Sequence, residues 1–372
     1  MPRFQRLFAP TPLGAVALAC ALHLVVLAAA TVLGHDMEGS WCCSAWNRWD
    51  TSWYEQIARD GYSHELSGEG AYRMAFFPLF PLLMRAASLL GGSLVVSGVL
   101  VSACATLVAS RTLFELIRLD DSPANARRAV AWLNFFPTSF FLVAAYTEAT
   151  FLCFALLAFL AARKDRYLSA GIAGALCGAT RLTGLALLPA LAVEALLTTR
   201  ERGDGRYLRR LAPLVLIAPL GFLSYLAINW WMYGRATQFL DFQLNLWQHL
   251  PVPPWSELLA GIRMMHATRM TVERVMLHDA KAASILIVFA TVVFAALRLR
   301  LSYTVFALAA GWLATGVSWD ISAPRYALAV WPMFWGLARL TRHQALGLML
   351  GGVSGFLLAF VAAQFMAGGW AY

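Results

Sequence analysis

The chain has 372 residues, of which 60% are apolar and only 13% are charged, whereas soluble proteins carry about 25% charged residues. This composition excludes a soluble globular enzyme, a disordered chain and a small secreted domain built on disulfides. Because a helix that spans a bilayer needs about 20 mostly apolar residues, the composition predicts an all-α polytopic membrane protein. The net charge of +9 does not indicate a nucleic-acid partner, since membrane proteins keep excess Arg and Lys in cytoplasmic loops.

Apolar runs and the positions of Arg and Lys predict about 11 transmembrane helices in a single integral-membrane domain that covers residues 1–372. The predicted spans are residues 13–33, 93–117, 129–146, 149–163, 167–180, 182–198, 211–233, 282–297, 301–317, 325–338 and 344–367. The first span is too long for the apolar core of a signal peptide, so we expect it to be uncleaved. The arginine-rich stretch 199–210 is the strongest cytoplasmic marker and fixes the predicted orientation.

Two long loops are expected on the external face. The first covers residues 34–92 and is rich in Trp and Tyr, which concentrate at membrane–water interfaces. Within it, residues 75–90 are apolar but broken by two prolines, and a full crossing there would put the basic stretch 118–128 outside. We therefore predict a re-entrant or interfacial helix at 75–90. The second loop covers residues 234–281 and contains no motif that indicates a function.

Ionisable side chains at the predicted outer face are the candidate site residues, because such groups are costly at membrane depth. They are Arg48, Asp50, Glu55, Asp60, His64, Glu65, Arg73, Glu148, Arg181, Asp320 and Arg325. A cluster of acidic and basic groups at one membrane face suits a substrate that carries a phosphate and a hydroxyl. The six cysteines form no C-x-x-C pair, so the sequence indicates neither a zinc site nor thioredoxin-like chemistry.

Several short sequence strings are more specific than the composition. In chain order they are Arg48-Trp49-Asp50, Ile57-Ala58-Arg59-Asp60-Gly61-Tyr62, Ala75-Phe76-Phe77-Pro78, Asn134-Phe135-Phe136-Pro137, Tyr146-Thr147-Glu148, Thr180-Arg181-Leu182-Thr183-Gly184 and Pro324-Arg325-Tyr326. Together they resemble the PIG-V family of mannosyltransferases, over residues 46–190 and again over 320–335. The pair Leu182-Thr183 departs from the Ser-Asn that eukaryotic members carry more often, and this difference bears on the acceptor rather than on the class of enzyme.

The resemblance implies a GT-C fold, a polytopic helical bundle with a catalytic carboxylate in the first external loop. It assigns the role of catalytic base to Asp50 and makes Glu148 a second catalytic carboxylate. Arg325 and Arg181, together with Tyr326, are expected to bind the donor phosphate. The side chains expected to line the substrates are Trp49, Tyr62, His64, Glu65, Phe77 and Tyr146.

The activity that the resemblance implies is an inverting transfer of a hexose, mannose by the family, from a polyprenyl-phosphate-linked donor to a lipid- or glycan-linked acceptor. Single-step inversion needs a base that takes the proton of the acceptor hydroxyl. No cofactor is expected, and catalysis without a metal is favoured over the use of a divalent cation. The resemblance to bacterial relatives predicts a bacterial inner membrane location, with the site facing the periplasm and membrane lipids as the remaining partners.

The residues by themselves leave other roles open. Asp50 is also suited to cap a helix that begins near Ser52. Arg325 could anchor lipid headgroups, Arg181 could bind carbonyls at a hairpin tip, and Glu148 could form a structural ion pair. A lipid-linked-sugar flippase or a non-catalytic subunit of a glycoconjugate assembly complex is the alternative function. A transporter, however, needs polar groups along a path through the membrane, whereas these groups collect at one face.

Overall fold

The computed structural model describes residues 12–35, 45–267, 270–318 and 321–371. Within these residues every regular element is helical, and one isolated antiparallel bridge joins Pro251 to Val317. The helices of eight or more residues are α1 (Pro12–His35), α2 (Asp50–Asp60), α3 (Leu79–Ser88), α4 (Leu94–Ile117), α5 (Pro123–Phe135), α6 (Glu148–Arg163), α7 (Tyr167–Gly178), α8 (Leu187–Arg202), α9 (Tyr207–Leu216), α10 (Leu220–Tyr233), α11 (Gln238–Asn245), α12 (Pro254–Ala267), α13 (Ala280–Arg298), α14 (Leu301–Thr315), α15 (Pro332–Leu340) and α16 (Gln344–Met366). The predicted all-α class is confirmed.

Among the described residues, five helical segments are long and apolar enough to cross a membrane. They are Leu94–Ile117, Leu182–Arg202, Tyr207–Tyr233, Val275–Arg298 and Gln344–Met366. Shorter apolar helices are Ala19–Val32, Leu79–Ser88, Tyr167–Gly178 and Leu301–Thr315. The chain is therefore built to lie in a membrane, while the count of about 11 spans stays a prediction.

Three predicted spans, at 129–146, 211–233 and 325–338, are interrupted in the structure, and a proline lies at or just after each break. The segment Tyr207–Tyr233 is still long and apolar enough to cross a membrane. The span at 129–146 stops where α5 ends, because Phe136 precedes Pro137 and is extended, with ψ at 148°. The span at 211–233 is divided between α9 and α10, where Pro219 follows an irregular segment. Proline lacks the backbone N–H and clashes with the preceding turn, so an apolar run that contains it does not have to be one helix.

The helix predicted inside the first loop is present as α3, which follows Pro78 and packs against α2 and α4. Ten residues rise about 15 Å, half the thickness of the hydrocarbon layer, so α3 is too short to cross. The backbone N–H of Leu79 donates to the carbonyl oxygen of Ala179 at 3.0 Å. This bond ties the start of α3 to the chain just before Arg181, which brings the first loop against a later pair of helices.

Close helix packing holds α7 against α9 and α10. A Cβ added at Gly174 would lie 2.9 Å from the Cβ of Ala218, and one added at Gly221 would collide with the carbonyl oxygen of Ala175. Small residues let helix backbones approach each other in this way inside membranes. Arg181 lies just after the end of α7, so this packing also fixes the position of its backbone.

A network of ion pairs closes the far end of α6. Arg163 pairs with Asp120 and, at 3.5 Å, with Glu194. Arg300 pairs with the same Glu194 at 3.0 Å and also with Glu201. Because the Glu194 side chain is fully buried, these two arginines compensate a charge that would otherwise be costly. The network joins α6, α8 and α14 at the end of the bundle opposite Glu148.

Candidate active site

Four charged residues from distant parts of the chain meet at one end of the bundle. Asp50 is the first residue of α2, and Glu148 is the first residue of α6. Arg181 directly precedes the short helical turn Leu182–Ala186, and Arg325 belongs to the turn Ala323–Tyr326. All four therefore lie at or next to ends of helical elements, and their side chains converge on the same end of the bundle.

These four residues form a continuous chain of opposite charges, which we call the charge cluster. The Arg325 Nη1 donates to Asp50 Oδ2 at 2.7 Å, and the Arg325 Nε lies 3.4 Å from Glu148 Oε1. The Arg181 Nη1 donates to the same Glu148 oxygen at 2.9 Å. The order Asp50, Arg325, Glu148, Arg181 alternates in sign, so the two carboxylates balance the two guanidinium groups.

The charge cluster is buried in its middle and accessible at its two ends. The side chains of Glu148 and Arg325 are 2% and 6% exposed, whereas those of Asp50 and Arg181 are 18% and 14% exposed. The Glu148 Oε2 and the Arg325 Nε have no hydrogen-bond partner among the described residues. Buried polar atoms are normally satisfied, so these two atoms are the ones with capacity left for a bound polar group.

Aromatic rings enclose the two guanidinium groups. The Arg325 guanidinium lies 5.1 Å from the ring centre of Tyr146 and 4.9 Å from that of Tyr326. The Arg181 guanidinium lies 4.8 Å from the same Tyr326 ring and 5.9 Å from that of Phe151. The Arg325 Nη2 also donates to the Tyr326 hydroxyl at 3.2 Å. Tyr326 therefore stands between both arginines, and cation–π contact restricts their rotamers.

Residues next to Asp50 hold the beginning of α2 in an unusual backbone conformation. Trp49 has a φ of 51°, a value that non-glycine residues rarely adopt, and its ring meets that of Trp370 edge-on at 5.0 Å. The Tyr146 hydroxyl donates to the carbonyl oxygen of Arg48 at 3.1 Å. Asp50 is the first helical residue and follows the N-cap Trp49, so the alternative that Asp50 caps this helix is wrong.

Tyr54 lies one turn after Asp50 on the buried side of α2, edge-on to the ring of Tyr146 at 6.3 Å. Burial raises the pKa of Tyr54, and the carboxylates of Asp50 and Glu148 raise it further. Its hydroxyl therefore stays protonated beside the two carboxylates.

The other predicted substrate-lining residues make their contacts within the first loop or against α10. The Tyr62 hydroxyl donates to the carbonyl oxygen of Phe76, and Phe77 stacks on Tyr225 with ring centres 4.0 Å apart. His64 Nδ1 lies 3.1 Å from the Met232 carbonyl oxygen. Glu65 is exposed and accepts a bond from the backbone of its own loop. His64 and Phe77 thus join the first loop to α10, whereas Tyr62 and Glu65 bond within the loop. The role of all four toward a substrate stays a prediction.

The remaining candidates do not join the cluster. Glu55 pairs with Arg59 along the exposed face of α2, and Arg73 donates to Gln56. Asp320 lies outside the described residues. Within the described ranges, no three His, Cys, Asp or Glu side chains are grouped so that they could hold a metal ion. This observation does not test the reaction, so catalysis without a metal remains a prediction.

His249 lies within electrostatic reach of Asp50 and Arg325, a position that sequence reasoning missed. Burial lowers the pKa of His249, the Asp50 carboxylate raises it and the Arg325 guanidinium lowers it again, so both charges act on its ring. The net shift is downward, which keeps the imidazole neutral near pH 7. Its Nδ1 lies 2.8 Å from the Gln243 Oε1, a contact that orients the ring.

A short backbone pairing holds His249 beside the charge cluster. The Val252 N–H donates to the carbonyl oxygen of Gly316 at 2.9 Å, and the Ser318 N–H donates to that of Leu250 at 2.8 Å. The ring of Trp247 packs edge-on against Phe76 at 6.0 Å. The segment around His249 is thus fixed both to the first loop and to the chain that leads to Arg325. No local sequence pattern predicts this pairing, because it joins segments that are far apart in the sequence.

Solved structures with a similar fold are membrane glycosyltransferases. ArnT from Cupriavidus metallidurans, solved with bound undecaprenyl phosphate, is 15% identical with a TM-score of 0.50, and the match covers 91% of this chain and 62% of that one. The oligosaccharyltransferase AglB from Archaeoglobus fulgidus is 13% identical with a TM-score of 0.45, over 94% of this chain and 56% of that one. This chain therefore spans less than two thirds of the length of either protein.

The fold is similar to that of ArnT, and the long apolar helices define an integral-membrane protein. The family model described as Mannosyltransferase (PIG-V) matches residues 17–233, more than half of the chain. The chain belongs to the PIG-V mannosyltransferase family, as its motifs predicted. The comparison with curated proteins found no match to this chain.

Proposed function

We propose that this protein transfers a hexose, mannose by its family, from a polyprenyl-phosphate-linked donor to a hydroxyl of a lipid- or glycan-linked acceptor. Membership of the mannosyltransferase family supports mannose as the transferred sugar. The undecaprenyl phosphate bound to the similar ArnT supports a polyprenyl phosphate as the carrier of the donor sugar. The observation that carries the proposal is the buried Arg325 between Asp50 and Glu148. The contact of 2.7 Å between Arg325 and Asp50 supports the proposal that Asp50 is the base and that Arg325 binds the phosphate beside it.

Arg325 and Arg181 bind the donor phosphate in this proposal. A guanidinium group has five N–H donors, and the contacts to Asp50, Glu148 and Tyr326 leave several of those donors for phosphate oxygens. As the bond to the sugar breaks, the phosphate gains a second negative charge, and preorganised donors stabilise that charge more than the charge of the bound donor. The cations therefore favour departure of the polyprenyl phosphate.

Asp50 is the base in this proposal. Its carboxylate takes the proton of the acceptor hydroxyl while the acceptor oxygen forms its bond to the anomeric carbon. The bond between that carbon and the phosphate oxygen breaks, and its electron pair leaves with the polyprenyl phosphate. Attack from the side opposite the leaving group inverts the anomeric centre. Donor phosphate that shares Arg325 with Asp50 weakens the ion pair at 2.7 Å, which makes the carboxylate a better base.

The proposed donor class is tested by transfer from a synthetic polyprenyl-phosphate mannose labelled in the sugar. Purified protein in nanodiscs is mixed with membranes from a strain that lacks the gene, because these membranes supply the acceptor. We expect label in the lipid or glycan fraction from this donor and none from a nucleotide-activated mannose. Transfer from the nucleotide sugar alone would contradict the donor class, and transfer of glucose but not mannose would contradict the sugar.

The proposed external position of the site is tested by cysteine labelling. In a background without the native cysteines, Ser67→Cys lies in the first loop and Arg200→Cys lies at the far end of α8, and both positions are exposed. We expect a membrane-impermeant maleimide to label the first from outside intact cells and the second only after the cells are opened. The reverse pattern would place the charge cluster on the cytoplasmic side.

A further inference from the structure

A basic cavity lies at the end of the bundle opposite the charge cluster. It has a volume of about 370 Å³ and forms where α7 and α9 begin. Four arginines line it: Arg166, Arg206, Arg209 and Arg210. Glu148 and Arg163 are the two ends of α6, and 16 helical residues separate them by about 22 Å. Since Asp165 follows two residues after Arg163 and lines the cavity, this site is separate from the proposed donor site.

The cavity has more positive charge than its own carboxylates can balance. Arg210 is buried and donates to Asp165 at 2.7 Å and to both carboxylate oxygens of Asp204 at 2.7 Å. Arg210 therefore uses its donors on the carboxylates of this region. Arg166, Arg206 and Arg209 are exposed, and within the described ranges their guanidinium groups make no hydrogen bond or ion pair. Four arginines line the cavity, and Asp165 and Asp204 balance two of these charges, which leaves an excess of two positive charges.

Two helix N-termini add to this positive potential. The 12-residue α7 begins directly after Arg166, and the 10-residue α9 begins directly after Arg206. Neither helix start has a capping hydrogen bond from the side chain before it. The first backbone N–H groups of a helix have no partner within the helix and carry a partial positive charge. Unpaired guanidinium groups and free N–H groups thus meet in one cavity, the combination that binds a phosphate.

Apolar side chains next to the cavity favour an amphiphile over a soluble anion. Leu168 lines the cavity and is 60% exposed, and Ile172 follows one turn later on α7 with 49% exposure. Leu208 on α9 is 76% exposed. In a membrane protein, apolar side chains exposed beside charged groups mark the level where headgroups give way to acyl chains. The chemistry of the cavity is that of a phosphate ester with an apolar tail.

We propose that this cavity binds the headgroup of an anionic phospholipid, with its phosphate on Arg206 and Arg209 and its acyl chains along Leu168 and Ile172. Basic pockets between the ends of membrane helices are suited to such headgroups. The proposal is independent of the reaction at the charge cluster, because the two sites share no residue.

The test measures binding of dihexanoyl phosphatidylglycerol to the purified full chain in phosphatidylcholine nanodiscs. Dihexanoyl phosphatidylcholine and inorganic phosphate are the comparison ligands. We expect phosphatidylglycerol to bind at least tenfold more tightly than either of them. We also expect the double variant Arg206→Ala/Arg209→Ala to weaken its binding by at least about tenfold, since one hydrogen bond to a charged group is enough for that change.

Two further variants test whether the loss of binding is specific to the cavity and to a ligand with acyl chains. Arg200→Ala/Arg298→Ala removes two exposed arginines from the ends of α8 and α13, outside the cavity, and should change the Kd less than twofold. Leu168→Gln should weaken the binding of phosphatidylglycerol but not the binding of inorganic phosphate. Equal losses in both arginine pairs would show a diffuse surface potential and overturn the site. Equal affinity for inorganic phosphate and phosphatidylglycerol would overturn the lipid as its ligand. A melting curve for each variant verifies that it folds.

Discussion

Sugar transfer by the Asp50→Asn variant is expected to be about 100- to 10,000-fold slower than that of the wild-type protein, the usual cost of losing a general base. The amide has the shape of the carboxylate and still offers an oxygen to the Arg325 Nη1, which the carboxylate contacts at 2.7 Å. Folding and donor binding should therefore persist while proton acceptance is lost. Transfer rates at several pH values, measured together with a melting curve, separate these effects.

The matched control is Glu55→Gln, which changes another carboxylate of α2 to an amide. Glu55 pairs with Arg59 on the helix surface and does not contact the charge cluster, so transfer should stay within twofold of wild type. If Asp50→Asn transfers within threefold of wild type at every pH, Asp50 is not the base. Loss of transfer in His249→Gln under the same conditions would then assign proton acceptance to the neutral imidazole of His249.

Arg325 should be sensitive even to a change that keeps its charge. Arg325→Lys loses the planar fork that contacts Asp50 and Glu148 together, so we expect the KM for the donor to rise by about 10- to 100-fold. Arg325→Ala should reduce transfer further and lower the melting temperature. Removal of one partner from a buried ion pair typically costs about 3–5 kcal/mol, because the remaining carboxylate is left uncompensated.

Two comparisons separate donor binding from architecture. Arg181→Ala should have a smaller effect than Arg325→Ala, since Arg181 makes one ion pair in the cluster and is more exposed. Arg235→Ala removes an exposed arginine that pairs with Asp241 after α10 and should leave donor kinetics unchanged. A lower melting temperature in Arg325→Lys with an unchanged KM for the donor would make Arg325 a structural anchor only.

The residues of the charge cluster could be predicted from sequence because each belongs to a short motif, in the first loop for Asp50 and at the end of an apolar run for Glu148, Arg181 and Arg325. The span predicted at 149–163 agrees with α6, which begins at Glu148, and the span at 93–117 agrees with α4. The direct pairing of Asp50 with Arg325 was not predictable, since 275 positions separate the two residues in the chain. Their meeting depends on tertiary packing alone.

Other features escaped prediction because hydropathy records composition and not backbone breaks. An apolar window extends through Pro137 and Pro219, where the helices in fact end or divide. The position of His249 had no signal either, because it follows from an isolated backbone pairing rather than from a periodic pattern. The motif of Phe77 suggested contact with a substrate, which stays a prediction, and it gave no sign that the ring stacks on Tyr225.

The bridge between Pro251 and Val317 sets the smallest unit that could be exchanged in a chimera. Residues 246–253 taken from another family member would lose their own partner segment and would instead face the Ser318 hydroxyl of this chain, which accepts the Leu250 N–H at 3.0 Å. Residues 316–318 would have to be transplanted with them, and these lead directly toward the turn that carries Arg325. A substitution in the segment around His249 therefore affects the position of the turn that carries Arg325. We expect these two segments to change together when the site diversifies within the family.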